Sequence, residues 1–263
     1  MMKLLIPKIL LVGIFLSLQA EYKLIKIIRT DAELISTDSF GQLYIYSNNS
    51  LTKFNKNGQL LSIYSDQSNG KLSSIDVSDP YILLLFYQDL NRIVFLDDKM
   101  APIGSPFDLD NMEIYNVSTV CKSKNFAVWI YDRFDNRLIQ YGFNPKGVLH
   151  ELKLDPLNVE QEVVFMLESG NYLYLNTGTQ LILFDQYGTY IKSFQFEIQK
   201  AFQIWNNNVV YFRDKQLFIN SVNEAEIDAI GIDFVADIKN VRIESDQLYI
   251  QKTDSVLIYK RRE

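Results

Sequence analysis

The residues in this chain with the chemistry for catalysis or metal binding are few and scattered. His150 is the single histidine. A zinc site built on several histidines is therefore excluded, and with it the HExxH pair of a zinc hydrolase. A Ser-His-Asp triad would have to recruit His150 as its base. The hydrophobic pattern puts His150 on an outer strand, where it reads as an ordinary solvent-facing residue. Cys121 is the single cysteine. Lys122 and Lys124 beside it would favour a thiolate. With no histidine or second cysteine close by in sequence, it reads as a small buried hydrophobe. Asp108, Asp110 and Glu113 form one acidic loop, and Asp132 and Asp135 form another with Asn136. Such oxygen-rich groups suit Ca²⁺. Neither carries the D-x-[DN]-x-[DN]-G spacing of a calcium loop, so both read as turn caps bonded to local backbone. GxGxxG and GxxxxGK[ST] are both absent, so nothing points to a nucleotide. No catalytic set, metal or cofactor is implied.

A different chemistry is suggested by Trp129, Tyr131 and Phe134, which run into an arginine-bearing turn. Exposed aromatic and arginine side chains in one place are typical anchors of protein interfaces. The equivalent turn elsewhere carries Asn48-Asn49, Gln88-Asp89, Arg213-Asp214 and Lys252-Thr253. The expected partner-binding residues are Asn48, Asn49, Gln88, Asp89, Asp132, Arg133, Phe134, Arg213 and Lys252.

These turns are placed by a repeated phrase. Gly41–Tyr64 reads as three short strands joined by two tight polar turns. Degenerate copies follow, with equivalent apolar positions at Leu43, Leu83, Ala127, Leu173, Val210 and Leu248, spaced 40, 44, 46, 37 and 38 residues apart. A unit of about 40 residues with four strands is the period of a β-propeller blade. The fourth strand precedes each phrase and is assigned as the innermost one. Outer strands are expected at Gln59-LLSIY, Pro102-IGSPF, Val148-LHELKL, Tyr190-IKSFQF and Glu226-IDAIGI. The second strands are the most apolar. Tyr81–Tyr87 has no charged or amide side chain, so it must be covered on both faces. Asn57-Gly58 is a two-residue hairpin signal. The last unit stops at Tyr259 with three strands, and Tyr22–Ile28 forms an orphan strand. Placing that strand at the outer edge of the last unit closes a ring and hides an edge.

The phrase NGQLL after Lys53-Phe54, and the turn Asp132-Arg133-Phe134-Asp135-Asn136-Arg137-Leu138, resemble the six-bladed propeller group of bacterial envelope proteins with NHL-like repeats. Asn91-Arg92-Ile93 echoes the same turn. The resemblance spans nearly the whole chain after its first 20 residues and implies a ring-shaped binding scaffold, without implying one activity.

Composition agrees. The chain has 263 residues and is 48% hydrophobic, with 16 Tyr and 17 Phe, a bias toward pleated structure. Its formal charge is −6, and the one tight basic cluster is Lys260-Arg261-Arg262, so nucleic acid is disfavoured as a partner. Residues 1–20 have the layout of a secretory signal: Lys3 and Lys8, an apolar run from Ile9 to Leu18, and a cleavage site at Leu18-Gln19-Ala20. A lone thiol and an export signal suit a Gram-negative periplasm; secretion and membrane anchoring are the lesser alternatives.

The expectation is therefore an all-β, six-bladed propeller of four-stranded antiparallel blades, one domain over 21–263. It would act as a non-catalytic periplasmic scaffold for envelope proteins, by analogy an accessory of outer-membrane assembly or secretion. Homo-oligomerisation has no signature. The alternative is a metal-dependent hydrolase, or a propeller binding a small ligand or glycan in its central channel.

Overall fold

Strand β1 (Tyr22–Arg29) pairs with the last strand of the chain, over two hundred residues away in sequence. The structure is a computed structural model, and it describes residues 22–155, 162–198, 201–214, 216–221, 232–233 and 237–262. The expected export signal at 1–20 lies outside them. Six four-stranded antiparallel sheets form, five of them meanders of consecutive strands. The first blade is β2 (Leu34–Thr37), β3 (Leu43–Ser47), β4 (Ser50–Phe54) and β5 (Leu60–Ser65). The second is β6 (Ser74–Asp76), β7 (Ile82–Tyr87), β8 (Arg92–Asp97) and β9 (Phe107–Asp108). The third is β10 (Val117–Ser123), β11 (Ala127–Asp132), β12 (Arg137–Phe143) and β13 (Lys146–Lys153). The fourth is β14 (Phe165–Ser169), β15 (Tyr172–Asn176), β16 (Gln180–Asp185) and β17 (Tyr190–Gln195). The fifth is β18 (Gln203–Trp205), β19 (Asn208–Arg213), β20 (Gln216–Ser221) and β21 (Ile232–Asp233). The sixth is β22 (Ile238–Glu244), β23 (Gln247–Lys252) and β24 (Ser255–Arg261), with β1 as its outer strand. The fold is a six-bladed β-propeller, and the N-terminal strand completes its last blade as the repeat count predicts.

Compactness groups the chain into two units, residues 1–47, 53–60 and 202–263, and residues 48–52 and 61–201. In the second unit the reason for the doubly apolar second strands is plain. Successive side chains of a strand point to opposite faces. Val128 and Ile130 of β11 pack with Leu84, Phe86, Ile93 and Phe95 of the second blade. Trp129 and Tyr131, the alternate residues, pack with Met166, Leu173, Leu175 and Phe184 of the fourth. Each fully buried Leu, Ile or Phe there contributes about 1.5–3 kcal/mol relative to exposure. The first unit repeats the scheme: Leu248 and Ile250 of β23 pack toward Val210 and Leu217, whereas Tyr249 packs with Leu43 and Ile45.

Two local expectations are corrected. Pro102–Phe107 does not form a full outer strand: Pro102 makes one bridge to Leu96, and β9 holds only two residues. Pro102 and Pro106 lack the N–H that a ladder needs. Asn57-Gly58 does not make a two-residue hairpin either. The turn runs from Asn55 to Gln59 and is set by Asn55, whose Oδ1 accepts from the N–H groups of Asn57 and Gln59 while Gly58 N–H donates to the Asn55 carbonyl at 2.8 Å. Asp97 and Asp185 build the same turn at the same place in their blades, accepting from Lys99 and Ala101 and from Tyr187 and Thr189. The fourth position needs φ near +70°, which Gly58 and Gly188 adopt freely and Met100 adopts at +67°. The expected outer strand at Glu226–Ile232 lies outside the described residues except for Ile232, which opens β21.

Candidate functional site

Every strand order above puts the turn from first to second strand and the turn from second to third strand at opposite ends of the blade. The predicted partner residues all occupy the second kind of turn. Asn48 and Asn49, between β3 and β4, are exposed and both have positive φ, as a tight hairpin turn demands. Gln88 and Asp89 are exposed in a short 3₁₀ turn between β7 and β8, closed by Asn91 at φ 48°. Arg213 and Lys252 are half-buried at the corresponding turns of the fifth and sixth blades, and Arg213 lies 5.2 Å from the Phe218 ring.

The third-blade turn is the most structured. Asp132 is buried rather than presented. Its Oδ1 accepts from the N–H groups of Phe134 and Asp135, and its Oδ2 accepts from Arg137 Nε at 3.0 Å. Arg137 also reaches Glu151 at 3.0 Å. Tyr131 Oη donates to Asn136 Oδ1, and Asn136 Nδ2 donates to Asp155. The carboxylates considered for Ca²⁺ are thus engaged in this turn. The other set is engaged likewise: Asp108 pairs with Arg92, and Asp110 accepts from Asn91 at 2.6 Å. Among the described residues no group of three or more His, Cys, Asp or Glu is placed to hold a metal. On top of the braced turn, Phe134 is 82% exposed and Arg133 is exposed beside it, 3.3 Å from Glu162.

The opposite blade ends carry a feature that motif reading missed. Four first strands carry an acid at or next to their last residue: Asp38, Asp76, Glu168 and Glu244. A repeat-by-repeat comparison of that position is the signal that finds them. In the second unit these ends line a cleft of about 370 Å³, formed by Ser78, Asp79 and Ile82 of the second blade, Lys122–Phe126 of the third and Glu168–Gly170 of the fourth. Asp76 accepts from Lys122 N–H at 2.8 Å, and Lys122 Nζ donates to Asp79 at 2.6 Å and to the Ile82 carbonyl at 2.9 Å. Burial works to raise the Asp79 carboxyl, but the Lys122 ammonium and the Tyr81 N–H outweigh it, so Asp79 titrates below the usual value. Glu168 is almost fully buried and accepts from Ser123 Oγ at 2.6 Å, Trp129 Nε1 at 2.8 Å and Lys124 N–H at 3.2 Å. Gln140 in turn donates to Ser123 Oγ. Cys121 lies beneath this layer; burial, with Asp76 and Glu168 nearby, holds its thiol well above the ordinary value and unreactive.

In the first unit Asp38 anchors its turn by accepting from the N–H groups of Phe40 and Gln42 and from Tyr44 Oη. Burial raises its pKa despite those bonds. Burial also pushes Glu244 up from 4.5 to about 7, with Asp38 adding to the rise and Arg242 opposing it. Between pH 4.5 and about 7 the folded protein then holds more protons at this site than the unfolded chain, so stability falls as pH rises through that window. Glu244 is partly open to solvent, which reduces the effect to about 1–2 kcal/mol. Glu244→Gln is expected to flatten this part of the stability curve and to stabilise the protein at pH 8 by about that amount, measured by urea unfolding at pH 5 and pH 8. An unchanged pH dependence would assign the titration to another group.

No family model matches the chain, and no curated protein matches it in sequence. Solved structures do. Virginiamycin B lyase from Staphylococcus aureus superposes with a TM-score of 0.62 at 13% identity, over 91% of this chain and 99% of that one. The WD40 domain of Neurospora crassa Pan2 gives 0.63 at 8% identity, over 92% and 96%. A chain of a mitotic checkpoint complex gives 0.54 at 11%, over 86% and 73%. At these identities the likeness is one of fold: this chain is similar to a lyase, a WD40 domain and a chain of a protein complex.

Proposed function

We propose that this six-bladed propeller is a non-catalytic scaffold that binds a partner protein of the bacterial envelope, in the periplasm, through the turns joining the second and third strands. The observation that carries the reading is Phe134. A large aromatic side chain stands 82% exposed on a turn held by buried Asp132 and its half-buried partner Arg137, with Arg133 beside it. A rigid, exposed aromatic next to an arginine loses little entropy on docking, and such residues dominate binding energy at interfaces. Asn48, Asn49, Gln88 and Asp89 supply exposed polar groups at the same end of their blades, suited to an interface rim. Similarity to propellers of protein assemblies is consistent with a binding role but does not select it.

The lyase similar in fold is described as catalytically inactive when one histidine is replaced by alanine. The single histidine here is exposed on an outer strand, its ring 6.5 Å from Tyr187, and it lines no part of the cleft. A lyase reading would have to build on this exposed outer-strand histidine.

The test is affinity capture from native envelopes with the wild type and with Phe134→Ala and Arg133→Glu. The wild type should retain a stoichiometric partner, each variant should bind it at least about ten-fold more weakly, and neither should change the thermal midpoint. Equal capture by all three proteins would remove this surface from the function.

A further inference from the structure

The cleft at the other end of blades two to four has a composition that selects its ligand. Its charged side chains are Asp79 and Glu168 against Lys122 and Lys124, so it is balanced. A balanced site offers no net attraction to a phosphate, a nucleotide or a polyanion. Its accessible lining mixes apolar and polar surface, with the Ser123, Lys122 and Glu168 side chains reaching it while almost wholly buried, so it suits a ligand that has both apolar faces and polar groups rather than a purely apolar one. Carboxylates beside ammonium and hydroxyl groups instead present acceptors and donors side by side. That arrangement matches a ligand whose own groups both donate and accept at short spacing.

The cleft has one aromatic wall, and the backbone beneath it is strained. Asn125 and Phe126 both have positive φ, +57° and +54°. A turn of that kind takes glycine at its second position most readily, and a bulky residue there costs about 1–2 kcal/mol. Phe126 offsets this by packing on Phe95 and Phe143, with ring centroids 5.6 Å and 5.4 Å away. About a third of its surface stays open at the cleft. The volume, about 370 Å³, lies within the range of small-molecule sites.

From this combination we infer that the cleft is a binding site for an uncharged carbohydrate. Phe126 takes the C–H face of a sugar ring, while Asp79, Lys122 and Glu168 share adjacent hydroxyls. The site lies at the blade ends opposite Phe134, so its failure and that of the partner surface are separable.

Trp129 provides a built-in reporter, because its indole N–H donates to Glu168. In a Trp205→Phe background, neutral mono- and disaccharides, glucose and N-acetylglucosamine with their β-linked dimers, are titrated while Trp129 fluorescence and heat are recorded. Saturable binding of at least one sugar is expected, unchanged by about 0.5 M NaCl because the ligand is uncharged. Asp79→Asn and Phe126→Gly should each weaken it at least about ten-fold, and Phe134→Ala should leave it unchanged. Phe126→Gly relieves the strained turn but gives up its packing, and Asp79→Asn keeps the side-chain shape but weakens the pair with Lys122, so each variant is titrated well below its own thermal midpoint and reports on binding by folded protein. No saturation up to about 100 mM of any sugar overturns the assignment. So does binding that survives both substitutions, or binding only of charged glycans that salt abolishes.

Discussion

Replacing Glu168 with alanine should destabilise the protein by about 3–5 kcal/mol, the largest loss expected of any single polar substitution described above. Glu168 is 8% exposed and is the common acceptor of Ser123 Oγ, Trp129 Nε1 and the Lys124 N–H. Ser123 belongs to the third blade and Glu168 to the fourth, so the carboxylate ties two neighbouring blades. Alanine would strand a fully buried indole N–H and a buried hydroxyl. The check is chemical denaturation of the variant and of Glu168→Ala/Trp129→Phe. Removing the indole donor as well should recover about 1–2 kcal/mol of the loss. If Glu168→Ala costs less than about 1 kcal/mol, the network does not hold the blades together.

Deleting Tyr22–Arg29 should cost at least as much and should also change behaviour in solution. Ile25 and Ile28 of β1 pack against the cluster of Ala32, Ile35, Val256 and Ile258, and Tyr22 packs against that of Ile243 and Leu248. Loss of two isoleucines and a tyrosine from these faces removes about 5 kcal/mol or more. The deletion also uncovers the backbone of β24 from Ser255 to Arg261, a paired edge in the intact protein. The truncated chain is expected to aggregate or to unfold more than about 10 °C lower, read by light scattering and calorimetry. Wild-type stability after the deletion would mean that β1 is not part of the fold.

The propeller was legible because its blades share one constraint. A second strand between two neighbours needs apolar residues on both faces, which β7 and β11 display as unbroken runs, and its repetition about every 40 residues exposes the blade period. Outer strands lack that constraint. β5 leaves Leu60, Leu61 and Ile63 exposed, and β9 shrinks to two residues where prolines remove the donors. The Asn55 turn was misread because Asn57-Gly58 looked sufficient by itself, whereas the register is set two residues earlier by an Asx side chain that Asp97 and Asp185 reproduce. The turns expected to bind a partner do join second and third strands, but the sequence did not show the division of labour within them. Asp132 faces inward as a brace, and Phe134 is the group left outside. The cleft was invisible for a different reason. Asp79, Lys122 and Glu168 lie on three blades, more than 40 residues apart in sequence, and no short motif contains them.

Site-specific photocrosslinking at position 134 tests the binding role most directly. With the photoreactive residue there, native envelopes should yield one dominant adduct of defined mass, and the same probe at Phe126, on the opposite blade ends, should yield none with that protein. Unmodified protein at both positions, or the same adduct from both, would contradict a partner surface centred on Phe134.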